Sequence, residues 1–270
     1  MREVTVALAQ FAPVLNHVER NLDRMIRIVE EACVGRHIDL VVFPELCTTG
    51  YECGLRFADL AEGVSGHAVT TMARCAAEHD TYIAFGLAEK QKVESVVYSA
   101  AVLVDPDGEV VGDYQKVHLK GEQRLAFRPG FKYVRAETRF GIVGLLVGWD
   151  LAFPEAARSL ALDGAELLCL CGCWEAPHAH EWRTYAFSRA YENGVYVAAC
   201  NRVGNEPTYT FFGESMVVGP RGGVAARLED DMPGIALAII DLDEVRRTQE
   251  ETQVLQARQP RSYRSVVKMY

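Results

Sequence analysis

Three short segments carry side chains that could do chemistry. Phe43-Pro-Glu-Leu46 sets a carboxylate, Glu45, directly after the apolar run at residues 40–43. Tyr114-Gln-Lys-Val-His-Leu119 sets Lys116 just past the strand pattern at residues 109–114. Gly148-Trp-Asp-Leu-Ala-Phe-Pro-Glu155 follows the apolar run at residues 143–147. A charge at the end of a buried strand is expensive to desolvate unless it is paired or used. Strand ends in α/β sheets are also where sites are assembled. Each segment alone is weak, because a strand-end Glu or Lys is commonly a solvated surface charge. Taken together, in this order, the three segments are more specific than any one of them.

The thiols are the other reactive groups. Eight cysteines stand at positions 33, 47, 53, 75, 169, 171, 173 and 200. They read as reduced, mostly buried side chains of a cytoplasmic protein. Cys169-Leu-Cys-Gly-Cys173 is followed by His178 and His180. Its C-x-C-x-C spacing differs from the C-x2-C pairs of common zinc sites. Alternating thiols in an apolar run fit one face of a strand equally well, so no metal is assigned.

The elements that must position these groups alternate between two periodicities. Residues 4–8, 40–43, 82–88, 143–147, 167–171, 195–199 and 235–241 read as strands. Residues 21–32 place Leu22, Met25, Ile26 and Val29 on one helical stripe, and 70–79, 155–163 and 181–193 also read as helices. Residues 99–104 and 109–114 form a hairpin through Pro106-Asp-Gly108, and 215–218 and 224–227 a second through Pro220-Arg-Gly-Gly223. Alternating α and β with interposed hairpins implies sheets covered by helices. One domain is expected over residues 1–242. A charged tail at 243–270 is expected to pack on the domain or on a partner subunit.

Composition narrows the function classes. The net charge of -9 over 270 residues argues against nucleic acid, which needs a basic face, and against anionic membranes. No run of 18 apolar residues is present, so no membrane span is expected. The chain opens on a strand pattern without a charged-then-apolar leader.

In this order, the three segments resemble the nitrilase, or carbon–nitrogen hydrolase, superfamily. The resemblance runs from Val4-Thr-Val-Ala-Leu-Ala-Gln10 to Ile240-Asp-Leu242. It includes Tyr98-Ser-Ala-Ala101, Phe127-Arg-Pro-Gly130, Arg189-Ala-Tyr-Glu-Asn193 and Asn201-Arg-Val-Gly204. It implies an α/β fold, a four-layer αββα sandwich, that hydrolyses amides, nitriles or carbamoyl groups without a cofactor. It implies Glu45 as general base and Lys116 as the oxyanion residue. It also implies a homodimer or higher even oligomer, paired through the helices at 155–163 and 181–193 and through the tail.

Two positions depart from the family pattern. The family's nucleophilic cysteine falls on Gly148, so that position is vacant. The family's second glutamate falls on Gln123, with Glu122 one step away and able to replace it after a one-residue loop adjustment. Trp149, Asp150, Tyr51, Cys173 and Trp174 are the remaining candidate substrate-binding residues, and Cys171 and Cys173 are candidate substitute thiols. Leu151-Ala152 beside Trp149-Asp150 supplies no arginine, which favours an uncharged or small substrate. Covalent acyl transfer needs a nucleophile, which leaves three readings: an inactivated amidase variant, an enzyme of altered non-covalent chemistry, or a non-catalytic binding or scaffold protein. Gly148 is expected in extended backbone with a small void beside it, and Glu45 and Lys116 are expected to face each other.

Overall fold

The computed structural model describes residues 1–91 and 96–268. The chain begins β1 (Glu3–Gln10), α1 (Val18–Cys33), β2 (Leu40–Val42), α2 (Phe57–Leu60), α3 (His67–His79), β3 (Tyr82–Lys90), β4 (Val97–Val104) and β5 (Val110–Gln115). It continues through α4 (Gln123–Ala126), β6 (Arg135–Glu137), β7 (Ile142–Val147), α5 (Pro154–Leu162), β8 (Leu167–Cys171), α6 (Ala179–Asn193) and β9 (Tyr196–Cys200). Then come β10 (Val203–Asn205), β11 (Thr210–Phe212), β12 (Met216–Val218), β13 (Val224–Arg227), β14 (Gly234–Asp241) and α7 (Asp243–Thr252).

Two six-stranded sheets form the middle of the molecule, in the orders β14-β1-β2-β3-β4-β5 and β13-β12-β9-β8-β7-β6. Strand alternation explains the layering. Val4, Val6 and Leu8 of β1 point to the inner core, with Leu145 of β7 and Cys169 of β8. Ala7 and Ala9 point the other way, under Leu22, Met25 and Val29 of α1 and Met72 and Ala76 of α3. On the far side, Ala156 and Leu160 of α5 and Ala186 and Ala190 of α6 cover the second sheet. The result is the expected four-layer αββα sandwich.

Helix boundaries follow local chemistry. The i, i+3, i+7 spacing of Leu22, Met25 and Val29 buries one face of α1. Pro154 opens α5, where its missing N–H loses no hydrogen bond. Gly194 ends α6 in the left-handed conformation. Parallel pairings β1–β2–β3 and β7–β8–β9 run beside antiparallel β3–β4–β5. The ends of β2, β7 and β8 therefore open in related directions, and the loops after them build the site.

Part of the tail packs on the body of the chain. Val245 and Thr248 of α7 are buried, the Tyr196 hydroxyl donates to Glu244, and Gln249 Nε2 donates to the Asn193 carbonyl at 3.1 Å. Beyond α7, residues 253–268 are mostly exposed, and the last two residues of the tail lie outside the described residues.

Candidate active site

Glu45 and Lys116 meet. Lys116 Nζ donates to Glu45 Oε1 at 2.9 Å, with both side chains about 2% exposed or less. The same oxygen accepts from Ser99 Oγ at 2.8 Å and from Gln123 Nε2 at 2.9 Å. Lys116 Nζ also donates to Gln123 Oε1 at 2.8 Å. One buried carboxylate oxygen thus takes three donors, and an amide side chain closes a ring between carboxylate and ammonium. A buried ion pair is tolerable only with such additional hydrogen bonds.

Neighbouring loops fix this geometry. The Glu45 N–H donates to the Gly172 carbonyl at 3.1 Å, joining the loop after β2 to the loop after β8 across the two sheets. Gly86 of β3 lies directly against this loop: a Cβ on it would sit 2.5 Å from Glu45 Cα and 2.7 Å from the Pro44 carbonyl oxygen. Only glycine allows so close a backbone approach. Lys116 is held by its own N–H, which donates to the Ser99 carbonyl at 2.8 Å.

Gly148 stands beside both charged groups, as the order of the motifs implied, but its conformation and surroundings differ from expectation. Its φ is +45°, and it opens a short 3-10 helix, Gly148–Ala152, instead of extending β7. There is no void. A Cβ built on Gly148 would overlap Glu45 Oε2 and lie 2.8 Å from Lys116 Nζ. The carboxylate fills the space that the expected void would have had, because nothing at position 148 excludes it.

The other candidates divide. Gln123, not Glu122, faces the ion pair: Gln123 is buried, whereas Glu122 is exposed and has no hydrogen bond to Lys116. No loop shift is needed, because α4 already turns position 123 inward. Gln123, Glu122 and Tyr51 line a cavity of about 130 Å³ with Phe57 and Phe127. Tyr51 packs edge-on against Tyr209 and Phe211. Trp149 instead lines a separate, larger cavity of about 890 Å³ with His118, Phe127 and Phe153.

Asp150 has no oxygen free for a ligand. It is fully buried; one oxygen accepts from Tyr114 Oη at 2.7 Å, and the other from the His118 N–H at 2.9 Å and faces His118 Nδ1 at 2.8 Å. It acts as a brace between the Lys116 and Gly148 segments, which corrects its assignment as a substrate contact. Trp174 is buried, 5.7 Å from Trp182 and 6.0 Å from Tyr185 between ring centroids, and its indole N–H has no acceptor among the described residues.

Cys173 lies next to Glu45, with Sγ donating to the Glu45 main-chain carbonyl at 3.3 Å. Burial pushes its thiol, and that of Cys171, well above the usual thiol range. Such thiols are inert, since the thiolate is the nucleophile. Among the described residues, no group of three or more His, Cys, Asp or Glu side chains is arranged to hold a metal ion.

Sequence reasoning missed Ser99 and Gly86. Ser99 had a signal: a hydroxyl inside the apolar strand at residues 97–104 needs a buried partner. His118 was also missed; its ring stacks on Phe153 at 3.5 Å, which fixes the turn after Lys116.

This geometry can be compared with that of known proteins. The chain matches the carbon-nitrogen hydrolase family over residues 5–250. It is 36% identical over 247 residues to a probable nitrilase of Schizosaccharomyces pombe, covering 90% of this chain and 91% of that protein. Its fold superposes on a carbon-nitrogen hydrolase from Helicobacter pylori G27 with a TM-score of 0.92, at 27% identity and 99% coverage of each chain. It is also similar to an amidase from Nesterenkonia sp. AN1, solved as a Glu-to-Gln, Cys-to-Ala double mutant in complex with acrylamide. There the TM-score is 0.89 and the identity 26%, over 99% of this chain and 98% of that one. A carboxylate and an ammonium joined at the strand ends of an αββα sandwich, with matches along nearly the whole length, place this chain in the carbon-nitrogen hydrolase family.

Proposed function

We propose that this chain binds a small uncharged amide-, nitrile- or carbamoyl-type group between Lys116 and Glu45 and forms no acyl-enzyme. The observation that carries the reading is the Glu45 carboxylate seated where a side chain on Gly148 would project. Lys116 has three N–H donors. Two go to Glu45 and Gln123, which leaves one for a carbonyl oxygen or nitrile nitrogen. Glu45 Oε2 accepts no hydrogen bond among the described residues, so it is available to an amide N–H. One donor beside one acceptor is the complement of a carboxamide. Gln123 keeps the ring neutral overall, which suits an uncharged ligand.

Any hydrolysis at such a site passes through a water oriented by Glu45. A triad stripped of its nucleophile retains roughly a thousandfold over the uncatalysed rate, so turnover is expected to be slow. The relative crystallised with acrylamide in a Cys-to-Ala background supports amide binding without a thiol. Acrylamide is therefore the first probe. Saturable binding with no mass increase supports the proposal. A covalent adduct on the unmodified chain, or ammonia release from simple amides at ordinary amidase rates, would refute it. A closed pocket that binds no member of an amide, nitrile and carbamoyl panel favours the second reading, a non-catalytic scaffold.

A further inference from the structure

α4 separates two cavities. Its buried Gln123 faces Lys116 and Glu45, whereas Arg124 and Leu125 line the cavity of about 890 Å³ on the other side. Ala126 and Phe127 line both that cavity and the smaller one beside Gln123. One wall of the larger cavity is an aromatic corner. Trp149 and Phe153 meet edge-on with ring centroids 5.0 Å apart, and the His118 ring lies flat on Phe153 at 3.5 Å. Arg124 and Arg128 supply the charge. Arg124 Nε donates to the Leu119 carbonyl at 3.1 Å, which leaves its two terminal nitrogens for a ligand. The Arg128 N–H donates to the Val97 carbonyl at 2.9 Å, which anchors its backbone on β4. Among the described residues, twelve line this cavity; nine are apolar and none is acidic.

A largely apolar cavity with a few convergent polar groups is the ordinary form of a small-molecule site. A guanidinium presents paired, planar donors that match a carboxylate. The chain as a whole carries a net charge of -9. Two arginines on an apolar hollow with no acid in its wall therefore reverse the sign locally, which favours an anionic head group. The chain's own tail has the wrong sign to fill the cavity: residues 253–270 hold Arg258, Arg261, Arg264 and Lys268 and no acidic side chain.

We propose that this cavity is a second ligand site, for a small organic acid with a planar apolar body. Arg124 and Arg128 meet the carboxylate, and the ring lies in the corner of Trp149 and Phe153. The volume of about 890 Å³ admits a body of fused-ring size. Glu45, Lys116 and Gln123 do not line it, so the two sites are distinct. They are also neighbours: Trp149 directly follows Gly148, and His118 lies two residues past Lys116 and holds Asp150. Acid binding in this cavity stands independently of the amide reading above.

The test is calorimetric titration of the full chain with 2-naphthoate and, as its uncharged counterpart, 2-naphthylmethanol. One equivalent of the acid is expected to bind, about tenfold or more tighter than the alcohol. Arg124→Gln and Arg128→Gln are each expected to weaken the acid about tenfold and to leave the alcohol unchanged. Both side chains are exposed, so neither variant is expected to unfold. Saturating acrylamide is expected to leave naphthoate affinity unchanged. Equal affinity for acid and alcohol, arginine variants that bind as the parent does, displacement by acrylamide, or no binding at millimolar concentration would each overturn the site. A second copy of the chain is the competing occupant, and Leu125, 89% exposed on the cavity wall, reports on it. Leu125→Glu is expected to leave the sedimentation coefficient unchanged; dissociation by this variant would make the cavity an interface and overturn the acid site.

Discussion

Glu45 and Gly148 compete for one volume: the carboxylate Oε2 lies where the first side-chain atom of residue 148 would be. The space beside Gly148 is therefore filled by the Glu45 carboxylate. Any side chain placed at position 148 enters occupied space.

Gly148→Cys is accordingly expected to destabilise the protein. A left-handed φ costs a non-glycine residue about 1–2 kcal/mol, and displacing Glu45 adds to that. The variant should nevertheless acquire detectable, weak ammonia release from small amides, because Glu45 and Lys116 already meet beside position 148. Gly148→Ala should lose similar stability and gain no activity. Thermal melts of both variants beside an ammonia assay separate the two effects; a Gly148→Cys protein as stable as the parent contradicts the packing argument.

Lys116→Met leaves Glu45 buried without its counter-charge. Breaking one side of a buried pair costs about 3–5 kcal/mol. Adding Glu45→Gln should recover much of that loss, since a neutral amide can keep Ser99 as a partner. Denaturant unfolding of the two single variants and the double variant completes the cycle, and additive losses would show that the pair is not coupled.

Ser99→Ala removes one of three donors to Glu45 Oε1. A hydrogen bond to a charged group is worth about 1.5–3 kcal/mol, so a loss in this range is expected from urea midpoints. Acrylamide affinity should weaken with it, because Glu45 is no longer held in place. A stable variant with unchanged binding would remove Ser99 from the site.

Asp113 also predicts a direction for stability against pH. Burial, reinforced by the charge of Glu89, raises Asp113 in the folded chain from the ordinary 3.8 to about 7. Between those values the folded state binds more protons than the unfolded state, so this contribution falls as pH rises through the window. Asp113→Asn lacks the group. Its melting temperature relative to the parent should therefore be lowest near pH 4 and improve toward pH 7 and above; the opposite trend would reverse the assignment.

Self-association is expected through α5 and α6, where Leu162 and Tyr191 remain 44% and 68% exposed. Sedimentation should give at least twice 29.9 kDa at micromolar concentration. A clean monomer that Tyr191→Glu leaves unchanged would exclude this face.

Much of the site was legible in sequence because each component follows a strand. Glu45 follows the apolar run of β2, Lys116 follows β5 and Gly148 follows the apolar run of β7, and it was the order of the three segments, through the family resemblance, that singled them out. The hairpins were legible from Pro106-Asp-Gly108 and Pro220-Arg-Gly-Gly223, whose residue types suit turns. Short elements such as α4, β6 and the β10–β11 pair were not, since three or four residues carry no period. The choice between Glu122 and Gln123 depends on which way α4 turns, a tertiary matter. Ser99 reaches Glu45 across 54 positions, and no local pattern encodes such a pairing. The filled space beside Gly148 depends on where Glu45, 103 positions earlier, places its carboxylate, which spacing alone does not determine.

Seven of the eight cysteines are buried, and only Cys33 is partly accessible. The folded protein should therefore be nearly silent toward alkylating reagents under native conditions. A thiol introduced at position 148 can then be counted against a background of one slow site. The same accounting reports folding: a variant that alkylates at many positions has lost its core, and its catalytic result can be set aside.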